Sequence, residues 1–232
     1  MLKNLARLLF GGVCFLCRGA AAELLCAECD AELPRLGAGL CPRCALDSAG
    51  GALCGRCLAR APHYDATVAA LAYRFPADVL VQALKFRAEL ALAPLLGELL
   101  AARLGGAGGA THLVPVPLAR ERLAARGYNQ ALEIGRTVAR ATGARLAPGL
   151  CERLRDTRAQ TDLPPEERAR NVRGAFRAPK LLEGFSIAVL DDVMTTGATL
   201  DEISRTLKAA GAARVVNWVV ARTPAPDAGA PA

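Results

Sequence analysis

The hydrophobic pattern of the second part of the chain predicts strands and helices in alternation. Residues 64–75 and 112–116 have the composition of short strands. Residues 78–86 and 91–104 repeat apolar side chains at helical spacing, and so do residues 130–141. Strands that alternate with helices in this way are typical of an α/β domain, in which helices pack on a mainly parallel sheet.

The last third of the chain contains two strands without polar alternation. Residues 186–190 (SIAVL) and 214–221 (RVVNWVVA) are almost continuously apolar, which is typical of parallel strands that are covered on both faces. Residues 200–210 lie between them and have a helical pattern that ends at Gly211. We therefore expect residues 186–190 to form a central strand of the sheet.

Composition indicates which residues build the core and what the two ends of the chain form. Hydrophobic residues make up 53% of the 232 residues and aromatic residues only 4%, so the core must consist mainly of Ala, Leu and Val. Arg, Glu, Gly or Pro interrupts every apolar run well before the ~18 residues of a membrane span, and we expect no membrane insertion. Residues 1–10 predict a short amphipathic helix and not a signal peptide, which indicates a cytoplasmic protein with reduced thiols. The tail, residues 223–232, is predicted to be disordered.

Cysteine spacing predicts two metal sites near the N-terminus. Each CxxC turn directs two thiolates at one point, and two such turns complete a tetrahedral four-cysteine zinc site. Four turns therefore predict two structural zinc ions. Eight of the nine cysteines form these pairs: Cys14 with Cys17, Cys26 with Cys29, Cys41 with Cys44, and Cys54 with Cys57.

Other interpretations of these cysteines fit less well. A redox CxxC occurs once, after a strand, and a disulfide framework needs an oxidising compartment. Pairing in sequence order gives two zinc ribbons, although pairing of the first turn with the third is also compatible with the spacing. Ribbons contain almost no hydrophobic core, so zinc must supply their folding free energy. We expect residues 1–62 to form a separate module and Cys41→Ser to unfold that module alone.

The motif with the clearest chemistry is AVLDDVMTTGATL at residues 188–200. A buried strand leads to the adjacent carboxylates of Asp191 and Asp192, and a Thr/Gly-rich loop then turns into a helix. Backbone N–H groups at a helix N-terminus suit a phosphate monoester, and the two carboxylates suit the vicinal hydroxyls of a ribose or a magnesium ion. The alternative is an ordinary helix cap with a glycine turn. Two acidic residues followed by TTGxT favour a binding site.

This motif resembles the 5-phosphoribosyl-1-pyrophosphate (PRPP) motif of type I phosphoribosyltransferases, and the match covers residues 64 to 222. The whole chain resembles the ComF family (ComFC/GntX-like proteins) more closely. The shared motifs are CFLC, CPRC and CGRC, LKF at 84–86, VPVPL at 114–118, RGYNQ at 126–130, QT at 160–161, and RARNV at 168–172. The resemblance implies an open, mainly parallel sheet of the type I phosphoribosyltransferase fold after an N-terminal zinc-ribbon module. It also implies a role in handling single-stranded DNA in naturally competent bacteria.

The resemblance also assigns site residues. Asp191 and Asp192 should contact the ribose hydroxyls, and magnesium should accompany the PRPP. The loop that should hold the 5′-phosphate consists of Thr195, Thr196, Gly197, Ala198 and Thr199. Pro117 and Arg120 fall near the loop that binds pyrophosphate in this fold. Arg126, which opens the RGYNQ motif, and Arg158, in the expected catalytic lid at 153–173, are assigned as catalytic.

One departure leaves the reaction open. Hypoxanthine-type phosphoribosyltransferases carry a carboxylate base where this chain has Thr195, so the acceptor cannot be read from the sequence. The net charge of +7, with 25 arginines, favours anionic partners. We expect a PRPP-binding protein that handles single-stranded DNA, with a helicase-like competence protein as a further partner. The alternative is a nucleotide-salvage phosphoribosyltransferase with an unknown acceptor. The expected divisions are the zinc module at 1–62, the α/β domain at 63–222 and the tail at 223–232.

Overall fold

The structure is a computed structural model that describes residues 12–105, 109–155, 165–179 and 181–225. The expected helix at residues 1–10 lies outside the described residues, and so does the tail from residue 226 onward. Within the described ranges, no helix combines the length and the apolar character that crossing a membrane requires.

The first part of the described chain consists of short elements between the cysteine turns. They are β1 (Gly12–Val13), β2 (Ala20–Ala21), α1 (Ala27–Ala31) and α2 (Gly55–Ala59). Strands β1 and β2 pair in an antiparallel hairpin. Helices α1 and α2 each begin directly after the first cysteine of a CxxC turn.

The second part of the described chain alternates strands and helices as the pattern predicts. The strands are β3 (Ala66–Ala72), β4 (His112–Pro115), β5 (Arg145–Leu146), β6 (Glu152–Arg153), β7 (Phe176–Arg177), β8 (Ser186–Met194) and β9 (Arg214–Arg222). The helices are α3 (Ala77–Phe86), α4 (Leu92–Leu104), α5 (Arg120–Arg126), α6 (Gln130–Thr142), α7 (Pro165–Val172) and α8 (Ala198–Ala209). The largest difference from the expected bounds is in β8, which continues four residues beyond Leu190.

Five strands form an open sheet in the order β3, β9, β8, β4, β5. Every neighbouring pair in this sheet is parallel, and β6 and β7 form a separate antiparallel pair. The expected fold class is therefore confirmed, since helices flank an open, mainly parallel sheet that follows an N-terminal cysteine-rich module.

The hydrophobic core occupies both faces of the sheet. Helices α3, α4 and α6 pack on one face, where Leu84, Leu96 and Ile134 are fully buried. Helix α8 packs on the other face through Leu200 and Ile203. Helices α4 and α6 approach closely because α4 carries glycine at position 97, where a Cβ would lie 2.7 Å from the Cβ of Thr137.

The cysteines form two clusters that follow sequence order. Within each cluster the four sulfur atoms lie within 4.8 Å of one another: Cys14, Cys17, Cys26 and Cys29 in the first, and Cys41, Cys44, Cys54 and Cys57 in the second. The sulfur atoms of Cys17 and Cys26 are 3.7 Å apart and those of Cys44 and Cys54 are 3.5 Å apart. Tetrahedral zinc with bonds of about 2.3 Å requires a separation of about 3.8 Å. The donor sets therefore fit two structural zinc ions.

Local hydrogen bonds favour the thiolate form of one cysteine in each cluster. Burial alone raises the pKa of Cys14 and of Cys41, but backbone N–H donors of the surrounding turns outweigh it and lower both pKa values to about 6. The backbone N–H of Cys54, for example, donates to the sulfur of Cys41 at 3.4 Å. Deprotonated sulfur is the form that binds zinc.

The zinc-ribbon module spans the β3 edge of the sheet. The segment 34–36 runs antiparallel to β3: the N–H of Leu36 donates to the carbonyl of Ala70 at 2.9 Å, and the N–H of Ala72 donates to that of Pro34 at 2.8 Å. Residues of the first cluster belong to the core on the α3 face, and residues of the second cluster belong to the core on the α8 face. The expectation that Cys41→Ser leaves the α/β domain unaffected does not fit these contacts.

The zinc-ribbon module and the α/β domain should therefore unfold in a single transition. Trp218, the single tryptophan, lies in β9 and is 1% exposed, so its fluorescence reports on the α/β domain. We expect heat or denaturant to release about two zinc ions per chain at the same midpoint at which Trp218 fluorescence changes. A chelator should lower that midpoint by roughly 5–10 °C, because a chain of this size loses ~2–4 °C per kcal/mol. A colour-forming chelator measures zinc, and zinc release well before any change in fluorescence would contradict the prediction.

Candidate functional site

A cleft lies at the edge of the sheet where its parallel strands end. Its volume is about 290 Å³. The walls are the end of β8 with the loop that follows it, the C-terminal end of α3, the chain after β4, and helix α5. Two motifs that are distant in sequence, LKF and RGYNQ, meet here through Lys85, Phe86, Arg126 and Gln130. The carboxyl ends of parallel strands are the usual ligand-binding edge of an open α/β sheet.

The acidic pair lies inside strand β8 and not after it. The sequence predicts both carboxylates at the end of the strand, but β8 continues to Met194. Asp192 is only 2% exposed, and its Oδ2 lies 2.9 Å from the Nζ of Lys85. The N–H of Val193 donates to its Oδ1 at 2.8 Å. Asp191 remains partly exposed and lines the cleft. Of the two carboxylates, Asp191 is therefore the one that a ligand can reach more easily.

The electrostatics of the pair separate the roles of its members. Burial, and then the charge of Asp192, raise the pKa of Asp191 well above its ordinary value. Burial alone lowers the pKa of Lys85, but the carboxylates of Asp192 and Asp191 outweigh it and raise that pKa. Lys85 therefore stays charged beside Asp192, and Asp191 keeps its proton to a higher pH than an ordinary aspartate.

The loop after β8 is shaped by glycine. Gly197 has φ of +84°, and a Cβ at this position would lie 2.7 Å from the Cε of Met194 and 3.1 Å from the Oη of Tyr64. The chain then enters α8 at Ala198, so the first turn of this helix lies at the cleft, and the N–H of Ala198 donates to the Oγ1 of Thr196 at 3.3 Å. A helix N-terminus with a partial positive charge favours a phosphate.

The acidic pair and the loop that the sequence predicted as a binding site lie together in the structure. The cleft lining includes Asp191 and Asp192, and it also includes all five residues of the loop, Thr195, Thr196, Gly197, Ala198 and Thr199.

Basic residues also line the cleft. Arg122 and Arg126 of α5 line it. The guanidinium of Arg126 donates to the Oε1 of Gln130 and lies 5.7 Å from the centroid of the Phe86 ring. Arg153, at the start of the expected lid, also lines the cleft and lies 5.5 Å from the ring centroid of Phe176.

Two of the expected site residues that the structure describes do not line the cleft. Pro117 lies between the lining residues Val116 and Leu118 without lining the cleft itself, and Arg120 is exposed at the start of α5. Arg158 lies outside the described residues. Helix α5 therefore brings Arg122 and Arg126 to the cleft, but not Arg120.

No role was predicted from the sequence for Lys85, Tyr73 or Phe86, although all three line the cleft. Lys85 and Phe86 belong to the LKF motif, which contributed only to the family resemblance. That motif was the feature of the sequence that could have identified them. Phe86 is 70% exposed, a large value for an aromatic ring. Its exposure and its place beside Arg126 give the cleft an apolar face next to a cation.

Comparison with known sequences covers both parts of the chain. The family model described as "Double zinc ribbon domain" matches residues 5–58, which include both cysteine clusters. The "DNA utilization protein YhgH" of Salmonella typhimurium is 37% identical over 91% of this chain and 97% of its own length. The protein of the same name from Escherichia coli K12 is 33% identical over the same shares.

A third relative carries a different name, and two solved structures resemble part of the fold. The "Competence protein F" of Haemophilus influenzae is 30% identical over 90% of this chain and 96% of its own length. The crystal structure of TT1426 from Thermus thermophilus has 17% identity and a TM-score of 0.36, with 60% of this chain and 86% of that chain covered. The Leishmania donovani UMP synthase structure has 16% identity and a TM-score of 0.32, with coverage of 62% and 24%. These two scores are too low to support a conclusion.

The three sequence relatives align with this chain over nearly their whole length, and each is at least 30% identical to it. Both cysteine clusters and the open parallel sheet are present in one chain. The chain therefore belongs to the ComF family of competence protein F and YhgH, with a double zinc ribbon that precedes an open, mainly parallel α/β domain.

Proposed function

We propose that the cleft binds PRPP together with magnesium and that the protein acts in the handling of single-stranded DNA during uptake. One observation carries the first part: the carboxylate of Asp191 and the helix N-terminus at residues 195–199 face the same cleft. A ribose that carries a 5′-phosphate needs an acceptor for its hydroxyls and N–H donors for its phosphate within one site. The relatives' names, "Competence protein F" and "DNA utilization protein", support the second part.

Each wall of the cleft suits one part of PRPP. The loop at 195–199 would hold the 5′-phosphate through backbone N–H groups and hydroxyls. Asp191 would accept hydrogen bonds from the ribose hydroxyls, while Asp192, held by Lys85 at 2.9 Å, would fix the position of Asp191 from behind. Arg122 and Arg126 would contact the diphosphate, since guanidinium groups bind such oxygens in pairs.

Magnesium fits the donor set of this proposal. Asp191 offers a hard carboxylate oxygen at the cleft, and the diphosphate offers the further oxygens that this ion prefers. When bound, magnesium would neutralise part of the diphosphate charge. Arg122 and Arg126 would contribute to the same end from the protein side.

Transfer, where it occurs, would break the bond between C1 of the ribose and the pyrophosphate oxygen. The acceptor atom would form the new bond to C1, and pyrophosphate would leave with the bonding electron pair. The arginines would stabilise the charge that develops on it. Thr195 stands where related purine enzymes have a carboxylate base, so the acceptor must either arrive deprotonated or lose its proton elsewhere.

The DNA part of the proposal is supported by charge. The chain has a net charge of +7, and exposed arginines lie on both sides of the segment 156–164, at positions 155, 170, 173 and 177. Phosphate contacts supply most of the affinity for a nucleic acid strand without regard to sequence. The proposal also includes a helicase-like competence protein as a partner and the cytoplasm as the location.

A salvage phosphoribosyltransferase is the second candidate, and the exposed ring of Phe86 favours it. A ring that is 70% exposed at the mouth of the cleft could stack on a free nucleobase acceptor. Release of pyrophosphate from PRPP with a free base, together with normal DNA uptake in a deletion strain, would favour this candidate over ours.

Asp191 should release a proton when PRPP and magnesium bind. Its pKa is raised in the free protein, so at a pH below that pKa a ligand that needs the carboxylate must remove the proton. Titration calorimetry in buffers of different ionisation enthalpy measures this release. Asp191→Asn should abolish the release and weaken binding by a factor on the order of ten to a hundred, since a charged hydrogen bond contributes about 1.5–3 kcal/mol.

The same raised pKa fixes the pH dependence of stability. An aspartate whose pKa is raised by folding stabilises the folded state at low pH, and this contribution is lost as the pH rises from the unfolded pKa of about 4 through the folded value. Asp191→Asn should remove that loss. The matched control is Asp78→Asn, because the carboxylate of Asp78 lies at the start of α3. Unchanged PRPP binding by Asp191→Asn would show that the site is assigned wrongly.

Lys85→Met should destabilise the protein by about 3 kcal/mol, because it leaves the buried charge of Asp192 without its partner. Adding Asp192→Asn should recover most of that loss, since the unpaired charge is then absent. Lys208→Met is the control: its pair with Asp65 is as short, at 2.6 Å, but both side chains are 33% exposed, so the loss should stay below about 1 kcal/mol. Urea unfolding measures all four proteins, and equal losses for the two lysines would contradict the buried ion pair.

The exposed arginines near residue 170 should contribute to strand binding. Arg170→Ala with Arg173→Ala should weaken the binding of single-stranded DNA and reduce the slope of log affinity against log salt by roughly one unit or slightly more, because each phosphate that the protein neutralises adds about 0.7 to the slope. Fluorescence anisotropy with a labelled oligonucleotide over a range of salt measures both. Arg136→Ala, an exposed arginine of α6, should change neither, and an equal slope in the double variant and the parent would exclude this segment from the DNA path.

A further inference from the structure

Arg222 is a buried cation directly behind the phosphate loop. It is the last residue of β9, and its register partners are Ala72 of β3 and Met194 of β8. It is only 3% exposed. A guanidinium buried at the centre of the sheet edge must have its donors satisfied by neighbouring acceptors, because an unpaired buried charge is strongly unfavourable.

The acceptors of Arg222 are four backbone carbonyls from separate parts of the fold. Its Nε donates to the carbonyl of Cys44 at 2.8 Å. Its Nη1 donates to the carbonyls of Met194 at 2.9 Å and Thr223 at 2.8 Å, and also to that of Thr195. Cys44 belongs to the second cysteine cluster, and Thr195 opens the phosphate loop. One rigid planar group therefore links a zinc-binding turn to the proposed phosphate site.

Further contacts join the second cysteine cluster to the phosphate loop and to the start of α8. Tyr64 is 3% exposed and packs with the second cysteine cluster, and its Oη lies where a Cβ on Gly197 would approach within 3.1 Å. The N–H and the Nδ1 of His63 lie 2.6 and 3.0 Å from the Oδ1 of Asp201, in the first turn of α8. Arg43, inside the CPRC turn, donates to the carbonyl of Tyr64 at 3.3 Å. The second cluster thus supports the loop and the start of its helix.

We propose that the second zinc centre, at Cys41, Cys44, Cys54 and Cys57, sets the conformation of the phosphate loop through Arg222, so that its zinc occupancy controls the affinity of the cleft for a phosphate-bearing ligand. Zinc fixes the turn that carries the carbonyl of Cys44. Without the ion that carbonyl is no longer held against Arg222, and the loop loses one side of its support. Preorganised donors bind an anion more tightly than donors that must be ordered on binding.

The first zinc centre serves as an internal comparison. Its residues pack into the core on the α3 face of the sheet, whereas those of the second pack on the α8 face. Only the part of the inference that concerns ligand affinity rests on the proposed function. The link between the zinc turn and the loop rests on the hydrogen bonds of Arg222 and on the contacts of Tyr64 and His63, which do not depend on the proposed function.

Hydrogen–deuterium exchange of the full-length protein without ligand tests the link directly. Arg222→Met should speed exchange of the amides at residues 195–201 by about tenfold, the equivalent of about 1.4 kcal/mol, while the chain still holds two zinc ions. Arg103→Met is the matched control, since Arg103 also joins the α/β domain to the zinc module, by donating to the carbonyl of Gly37 at 2.9 Å, without reaching the loop. It should leave exchange at 195–201 unchanged.

If Arg222→Met does not fold, Arg222→Lys gives the same comparison, because it keeps the charge but cannot hold the carbonyls of Cys44 and Thr195 together. Exchange at 195–201 that equals the parent's in the folded Arg222 variant would overturn the inference. So would an equal increase in Arg103→Met.

A second comparison tests the zinc centres and the ligand. Cys54→Ser should weaken PRPP binding in calorimetry by about tenfold or more, which corresponds to about 1.4 kcal/mol. It should also speed hydrogen exchange in the loop at residues 195–201. Cys26→Ser, in the first centre, should have smaller effects on both. Fluorescence of Trp218 checks that each variant is folded. Equal effects of the two substitutions on loop exchange would overturn the inference. A parent protein that binds no PRPP would overturn the proposed function, while the exchange comparison would still decide this inference.

Discussion

The backbone pairing between the segment 34–36 and strand β3 is the contact on which the architecture depends. An open sheet leaves unpaired N–H and C=O groups along its edge strands, and such an edge tends to pair with other chains. Strand β5 at one edge has only two residues, but β3 at the other has seven. The segment between the two ribbons covers that long edge. In return, the ribbons gain the apolar contacts on both faces of the sheet that they cannot supply themselves.

The cleft accepts features that are unfavourable for stability. Asp191 is held where ionisation is costly, Gly197 is held in a left-handed conformation, and the charge of Arg222 is almost entirely removed from solvent. Each has a neighbour that makes it tolerable, such as the carbonyls around Arg222. Departures from simple folding rules that gather at one edge of a sheet are typical of a binding site.

Local patterns gave most of the fold and the outline of the site. The cysteine spacing and the continuous apolar strands depend on neighbours in sequence, so their prediction needs no knowledge of the rest of the chain. The longer β8 could not be predicted, because Asp192 is accommodated inside a strand only through Lys85, which comes from a distant helix. The same holds for Arg222, whose four acceptors lie in three separate segments. Arg122 and not Arg120 lines the cleft because the phase of a short helix depends on where it begins.

The position of β3 has a consequence for how the chain is made. Its single neighbour within the five-stranded sheet is β9, the last strand among the residues that the structure describes. More than a hundred residues must therefore emerge before β3 can enter the sheet, and connections of this kind fold slowly. The segment 34–36 emerges earlier and can pair with β3 as soon as both are outside. A cysteine-rich module at the beginning of the chain thus gives an otherwise solitary strand a partner during synthesis, when unpaired strands are most prone to aggregation.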